Sequence, residues 1–190
     1  MAAKLPLVVN AAGHQQELAA EDSLLARGGV ETDYNKPIIS TANPASPRGH
    51  IMARDVVSAF IASGTGAIVL VGASTVSDLM AQLSIRIMRH NVSISNSTIQ
   101  GYYLSGRTWG SLRMLSQGTE DIPIRLGRTA DNRPCVVIGA VSTAWGNMHI
   151  SLSELLASYS TDAQLKEWCR GWTASLVTDL SSYTLTGNLS

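Results

Sequence analysis

Residues 135–153, CVVIGAVSTAWGNMHISLS, contain the two patterns that decide the fold class. The run Cys135–Val141 is continuously apolar, which is typical of a strand buried on both faces. Residues 148–153 alternate apolar and polar side chains, which is typical of a strand with one buried face. The small and polar residues between the two runs favour a turn. This stretch therefore predicts two β-strands joined by a turn.

The same patterns recur on both sides of this stretch. Residues 67–71 are continuously apolar, and Leu83, Ile85 and Ile87 alternate with Ser84, Arg86 and Met88. Residues 122–126 and 172–180 also follow a period of two. Because Gly, Asn, Ser and Pro separate these segments, we expect a mainly β protein whose carboxy-terminal part is an antiparallel β-sandwich or jelly roll.

One segment departs from the β pattern. The residues Thr161-Asp162-Ala163-Gln164 have the form of a capping box, in which the side chains of the first and fourth residues bond each other's backbone amides. Leu165, Trp168, Cys169 and Trp172 follow at helical spacing. We therefore predict a short helical turn before the last strand.

The chain divides into three parts by composition. We interpret residues 1–27 as an arm that anchors the protein to a particle, residues 28–63 as an extended connector rich in Gly, Pro and Asn, and residues 64–190 as the folded domain. Short helices are expected in the first two parts. The clearest is at residues 55–62, where Val56, Val57, Phe60 and Ile61 share one helical face.

Composition excludes several functional classes. The chain has 14 basic and 14 acidic residues among 190, and charged residues make up only 15% of it. A chain without net charge has no electrostatic surplus with which to bind nucleic acid or anionic lipid, and such chains tend to associate. Its most apolar window, residues 53–79, is interrupted by charged residues, so we expect no membrane insertion. Cys135 and Cys169 are predicted to be buried free thiols.

No motif indicates an enzyme, a cofactor or a metal site. The G-x-S-x-G and H-E-x-x-H motifs and the Walker loop are absent from the sequence. Residues 64–66 are interpreted as a turn and not as a phosphate loop, because they precede a strand. The adjacent carboxylates Glu120 and Asp121 are interpreted as a solvated turn, since neighbouring residues of a strand point to opposite faces.

Residues 101–109, GYYLSGRTW, are the candidate binding segment. Aromatic rings stack on the C–H faces of sugars, and planar side chains such as arginine donate hydrogen bonds to sugar hydroxyls. Tyr102, Tyr103, Arg107 and Trp109 are therefore candidate glycan-binding residues. The alternative is that a strand ending in Tyr102-Tyr103 places one ring inside the sandwich and one outside.

The ordered set of strand cores and tryptophans in residues 64–184 resembles the carboxy-terminal domain of bacteriophage tail fibres. The similarity includes Gly101-Tyr102-Tyr103 with Trp109 after it, and it is strongest over residues 136–160. It ends with Trp168, Gly171-Trp172 and residues 176–178. The opening residues 5–13, LPLVVNAAG, look like the starts of many phage structural proteins.

This resemblance implies a homotrimeric β domain at the tip of a fibre, which binds host surface polysaccharide without enzymatic activity. It implies a virion protein that is assembled in the cytoplasm of the bacterial host. Residues 1–27 would contact other virion proteins. The residues expected to anchor the chain are Leu5, Leu7, Val8 and Val9, and those expected in the core or the trimer contact are Trp145, Tyr159, Trp168 and Trp172.

Two other functions remain open at this point. The first is a purely structural virion component, such as a head fibre, a cement protein or an adaptor-bound tail subunit, that has no receptor. The second is an enzyme that depolymerises capsule, which requires an acidic pair beside an aromatic groove.

Overall fold

The structure, a computed structural model, describes residues 50–90, 93–119 and 121–189, together with five short strands between residues 7 and 40. These strands are β1 (Leu7–Val9), β2 (Gln15–Glu17), β3 (Leu24–Leu25), β4 (Gly29–Asp33) and β5 (Lys36–Ser40). β1 and β2 pair only with each other, whereas β3, β4 and β5 extend the larger sheet of the fold. The predicted arm and connector therefore contain strands.

Two antiparallel sheets enclose one hydrophobic core. The larger sheet also contains β6 (His50–Thr65), β8 (Leu79–Arg89), β9 (Ser93–Tyr103), β10 (Trp109–Gly118) and β13 (Ala144–Ser158), and its strand order is β10-β9-β8-β13-β6-β5-β4-β3. The smaller sheet contains β7 (Ala67–Val71), β11 (Ile124–Thr129), β12 (Pro134–Ile138), β14 (Thr173–Val177) and β15 (Tyr183–Leu185), in the order β14-β7-β12-β11-β15. The prediction of a mainly β, antiparallel fold is confirmed.

The apolar patterns of the sequence follow from how each sheet is covered. In β8 the alternate residues Leu83, Ile85 and Ile87 are buried in the core. In β7 and β12 every residue is buried, because the smaller sheet is covered on both faces. Its outer face carries a second apolar cluster, which consists of Ala67, Val69, Val71, Cys135 and Val137. Four residues of the carboxy-terminal segment pack against this cluster: Val177, Leu180, Tyr183 and Leu185.

β6 differs from the sequence prediction. Residues 55–62 are not helical but lie inside this 16-residue strand, between β13 and β5. A β-bulge explains the misleading pattern: between the pairs Val57–Leu152 and Arg54–Glu154, β6 has two residues and β13 has one. Asp55, in the bulge, has a φ of 49°. Since the bulge leaves both Val56 and Val57 buried, the apolar residues imitate helical spacing.

The pairing of β6 also bears on the domain boundary. β6 is paired with β13 from Ser158–His50 to Ala144–Thr65. The sheet that forms the core therefore includes residues from His50 onward, and the predicted boundary at residue 64 falls inside β6. The sequence hides this because the polar residues Ser58 and Ser63 interrupt the apolar pattern.

The predicted helix before the last strands is present. Helix α1 spans Asp162–Cys169, with Thr161 as its N-cap in a reciprocal capping box with Gln164. Leu165, Trp168 and Cys169 are buried against the core. The helix therefore closes one part of the core, and the capping box fixes where it begins.

The described residues contain neither a membrane-spanning helix nor a cluster of metal-ligating side chains. No helix among them is long and apolar enough to span a membrane. Residues 50–90, 93–119 and 121–189 also contain no group of three or more His, Cys, Asp or Glu side chains arranged to hold a metal ion. Cys135 and Cys169 are buried free thiols, as predicted.

Candidate functional site

Tyr102 and Tyr103 lie on opposite faces of β9, which agrees with the alternative interpretation of this pair. Tyr103 is completely buried, and its hydroxyl donates a hydrogen bond to the backbone oxygen of Asn132 at 3.1 Å. Burial raises the pKa of the Tyr103 hydroxyl to about 12. The ring of Tyr102 is 39% exposed on the outer side of the sheet.

The four tryptophans are all buried. Tyr103, Trp109, Trp168 and Trp172 form a chain of ring contacts in the core, with successive centroid distances of 5.1, 6.2 and 5.6 Å. The indole nitrogen of Trp109 donates to the backbone oxygen of Gly127 at 3.0 Å. Tyr103 and Trp109 therefore belong to the core and not to a sugar-binding surface, contrary to the sequence prediction, because neither ring has a face open to solvent.

Two other predicted residues lie just beyond the ends of strands. Arg107 is in the turn between β9 and β10, where its φ is 53° and its backbone N–H donates to Leu104. Its guanidinium is close enough to Tyr103 to influence the pKa of that hydroxyl. Tyr159 directly follows β13 and is 48% exposed, so it is not part of the core of this chain.

The remaining tryptophan, Trp145, also lies in the core, where its indole nitrogen donates to the backbone oxygen of Gly66 at 2.7 Å. Of the predicted anchoring residues, Leu7, Val8 and Val9 form β1. They pair with Glu17, Gln16 and Gln15 of β2. Leu5 lies outside the described residues.

Tyr102 lines a shallow open groove on the outer face of the larger sheet. We use the term outer face for the side of β6, β13, β8, β9 and β10 that points away from the smaller sheet. The groove has a volume of about 320 Å³ and crosses β10, β9, β8 and β13. It is lined by Met80, Ala81, Gln82, Gln100, Gly101, Tyr102, Ser111, Arg113, Leu156 and Ser158.

Strand register brings the polar groups of the groove together. Arg113 pairs with Gln100, which pairs with Gln82, so these side chains form a row across three strands. The side-chain nitrogen of Gln100 donates to the side-chain oxygen of Gln82 at 2.7 Å. Tyr102 and Met80 form the neighbouring row. An aromatic ring therefore lies beside a row of planar polar groups.

A β-bulge in β10 places Arg113 in the groove. Between the pairs Gly110–Tyr102 and Arg113–Gln100, β10 has two intervening residues and β9 has one. Ser111, in the bulge, has a φ of 52°. The extra residue shifts the alternation by one, so that Leu112 packs toward the core and Arg113 points outward.

A second depression of about 300 Å³ adjoins the groove. It is lined by Thr98, Gln100, Arg113, Met114 and Leu115, so it shares Gln100 and Arg113 with the groove. These two residues lie between the two depressions. The groove and the adjoining depression together can therefore accommodate a ligand of more than one sugar unit, with Arg113 near the middle of the combined site.

Charge is distributed unevenly on the outer face. Arg54, Arg86 and Arg113 lie on it, together with the acidic Glu154. Arg54 approaches Glu154 at 4.0 Å, and Arg86 donates to the side chain of Asn96 at 3.3 Å. Arg113 is exposed, and no described residue pairs with its guanidinium. An anion in the groove would therefore meet a positive charge that no described neighbour neutralises.

Sequence reasoning identified Tyr102 and missed Gln82, Gln100 and Arg113. Gln82 and Gln100 directly follow the buried residues Ala81 and Ile99, and Arg113 lies between two partly buried apolar residues, so their exposure was predictable. Their proximity was not, because it depends on the pairing of three strands and on the bulge at Ser111.

Comparison with protein-family models, with curated proteins and with solved structures finds no match to the chain. The functional interpretation therefore depends on the geometry of the outer face and on the residue patterns of the sequence.

Proposed function

We propose that the protein is a bacteriophage fibre protein that binds host cell-surface glycan through the groove beside Tyr102. The virion assignment rests on the resemblance of residues 64–184 to tail-fibre tip domains. The observation that carries glycan binding is the half-exposed Tyr102 ring beside the side chains of Gln82, Gln100 and Arg113. In this proposal the protein binds and does not catalyse.

The chemistry of the groove suits a sugar. The Tyr102 ring offers an apolar face to the C–H groups of a pyranose, while amides and a guanidinium offer planar hydrogen-bonding groups to its hydroxyls. The groove is open and shallow, as suits one segment of a long polysaccharide. Affinity for a single site of this kind is weak, with a dissociation constant on the order of 1 mM.

Assembly into a homotrimer would compensate for weak single sites, because linked sites raise the apparent affinity. An apolar row supports a subunit contact. Phe60 and Ile94, 64% and 58% exposed, flank His149 and Met88 in one row across β6, β13, β8 and β9. Met88 is six residue steps along β8 from Gln82, so this row lies roughly 20 Å from the polar row of the groove. Both surfaces can therefore be used at once.

The apolar row also favours the second candidate function. A structural virion component would use Phe60, Met88 and Ile94 to pack against another virion protein and would need no receptor. Under either proposal, residues 1–27 attach the chain to the particle. Deleting them is expected to release the protein from the particle in both cases.

Glycan binding is tested with the full chain and its Tyr102→Ala variant. The substitution is expected to weaken binding to purified host polysaccharide about fivefold, since stacking on an exposed ring contributes on the order of 1 kcal/mol. Leu176→Ala is the matched control, because Leu176 is 37% exposed on β14 of the other sheet. Equal binding by both variants would contradict the proposed site.

The trimer is tested separately by native mass measurement. A stable monomer under native conditions would contradict it. If the protein is a trimer that binds neither host cells nor their polysaccharides, the structural component becomes the better assignment.

A further inference from the structure

We infer that the groove selects an acidic saccharide, and that Arg113 binds the carboxylate of a uronic acid or a similar sugar. This inference rests on the proposed glycan binding and adds the chemical class of the ligand. It depends on the charge around Arg113, on its position and on the groups beside it.

The charge in the groove favours an anionic ligand. Within the described residues, no Asp or Glu lines the groove or the adjoining depression. Glu154 of the outer face lies on β13, three strands away from β10, and its carboxylate is 4.0 Å from the guanidinium of Arg54. Arg113 therefore keeps an uncompensated positive charge in a chain that has no net charge overall. Such a charge attracts an anionic ligand and disfavours a cationic one.

The position of Arg113 depends on the β-bulge in β10. The bulge at Ser111 places a residue with a positive φ next to the groove, in a backbone conformation that non-glycine residues rarely adopt. If β10 continued in regular alternation from Gly110, Leu112 would point outward and Arg113 into the core. The bulge therefore makes the guanidinium of Arg113 available to a ligand, because it places this residue between the two depressions.

The neighbouring groups define the kind of anion. A guanidinium binds a carboxylate through two parallel hydrogen bonds, and the amides of Gln82 and Gln100 lie in the same row to bond adjacent sugar hydroxyls. The Tyr102 ring in the next row needs an apolar face, which a pyranose ring provides. A uronic acid carries the carboxylate, the hydroxyls and the ring face in one unit.

The test uses a panel of purified bacterial capsular and O-antigen polysaccharides and the full-length protein. Each polysaccharide that contains uronic acid is paired with its carboxyl-reduced form, in which the carboxylate is a primary alcohol. We expect the native forms to bind and reduction to weaken binding roughly 10- to 100-fold, the range of one charge-assisted contact. The residual affinity comes from the ring and the hydroxyls.

Variants assign the effect to one residue. Arg113→Gln is expected to bind native and reduced forms equally and weakly, and Arg113→Lys to recover part of the difference, because lysine keeps the charge without the paired geometry. Arg54→Gln is the matched control: it makes the same charge change on the same outer face and should leave binding unchanged. Thermal unfolding of each variant identifies any loss that is due to misfolding.

Three outcomes separate this inference from the proposed function. Equal binding of native and reduced polysaccharides overturns the acidic selectivity and leaves glycan binding intact. Binding only to phosphate-bearing polysaccharides without uronic acid also overturns it. Absence of binding to every member of the panel overturns the proposed function and the inference with it.

Discussion

The adjacent residues Tyr102 and Tyr103 provide a matched pair for testing the structure. Replacing either one by phenylalanine removes a single hydroxyl from the same strand. The Tyr103 hydroxyl donates to the backbone oxygen of Asn132 at 3.1 Å from a completely buried ring. The Tyr102 ring is 39% exposed, on the face opposite the core. The two substitutions should therefore have different effects on stability.

The expected difference follows from the hydrogen bond. A neutral intramolecular hydrogen bond contributes about 0.5–1.5 kcal/mol net, so Tyr103→Phe should lower the free energy of unfolding by about 1 kcal/mol. For a chain of this length, that change lowers the melting temperature by roughly 2–4 °C. Tyr102→Phe should change the free energy of unfolding by less than about 0.5 kcal/mol, as is usual for a surface substitution.

The pH dependence of the free energy of unfolding provides a second, independent test. Burial raises the pKa of Tyr103 to about 12, from 10.0. The neutral hydroxyl is therefore favoured by folding, and its contribution to stability is present below pH 10 and is lost as the pH rises toward 12. Wild type should lose this contribution over that range, whereas the Tyr103→Phe variant has no hydroxyl at this position and should not show the loss. The stability advantage of wild type should therefore shrink or reverse.

Calorimetry and urea unfolding at pH 7 and at several values between pH 9 and 11.5 measure both effects. Comparison of variants at the same pH cancels the titration of the other groups. Equal destabilisation by the two substitutions at pH 7 would refute the assignment of opposite faces. A constant difference between wild type and Tyr103→Phe up to pH 11.5 would refute the burial of the hydroxyl.

Three further predictions concern the core and its boundaries. Burial raises the pKa of Cys135 and Cys169 to about 12, so neither thiol should react with a thiol reagent at pH 8 until denaturant is added, when both should react. Gly66→Ala should destabilise the fold by about 1–3 kcal/mol in urea unfolding, because its new methyl would lie 2.5 Å from a backbone oxygen, whereas Gly146→Ala, with nothing within 4 Å, should be neutral. Thr161→Ala should cost about 1 kcal/mol by removing the N-cap of α1, and Thr161→Ser should restore most of it. Rapid labelling of the native thiols would contradict the first prediction, and equal stability of the two glycine variants would contradict the second. The third would be contradicted if Thr161→Ser were as unstable as Thr161→Ala.

The fold was predictable where burial leaves a simple pattern. β8 alternates because one face meets the core, and β12 is continuously apolar because the carboxy-terminal segment covers its outer side. The helix was predictable because Thr161 and Gln164 form a local capping box. β6 was not, since the bulge at Asp55 breaks its alternation and its pairing partner, β13, lies about 90 residues further along the sequence.

The candidate site was predictable only in part, for the same reason. Sequence chemistry pointed to the aromatic segment around Tyr102, but alternation within β9 sends Tyr103 into the core, and Trp109, which pairs with Tyr103, follows it there. Gln82 and Gln100 are 18 residues apart and meet only because β8 and β9 are paired. No local pattern reports such pairing.

The coverage of the two sheets explains why the outer face of the larger sheet is where function should be sought. The carboxy-terminal segment packs on the outer side of the smaller sheet and buries Val69 and Val137 there. The larger sheet instead exposes Phe60, Ile94 and Tyr102 on its uncovered face. Exposed apolar area costs free energy in water, so a binding or assembly role on this face accounts best for its composition.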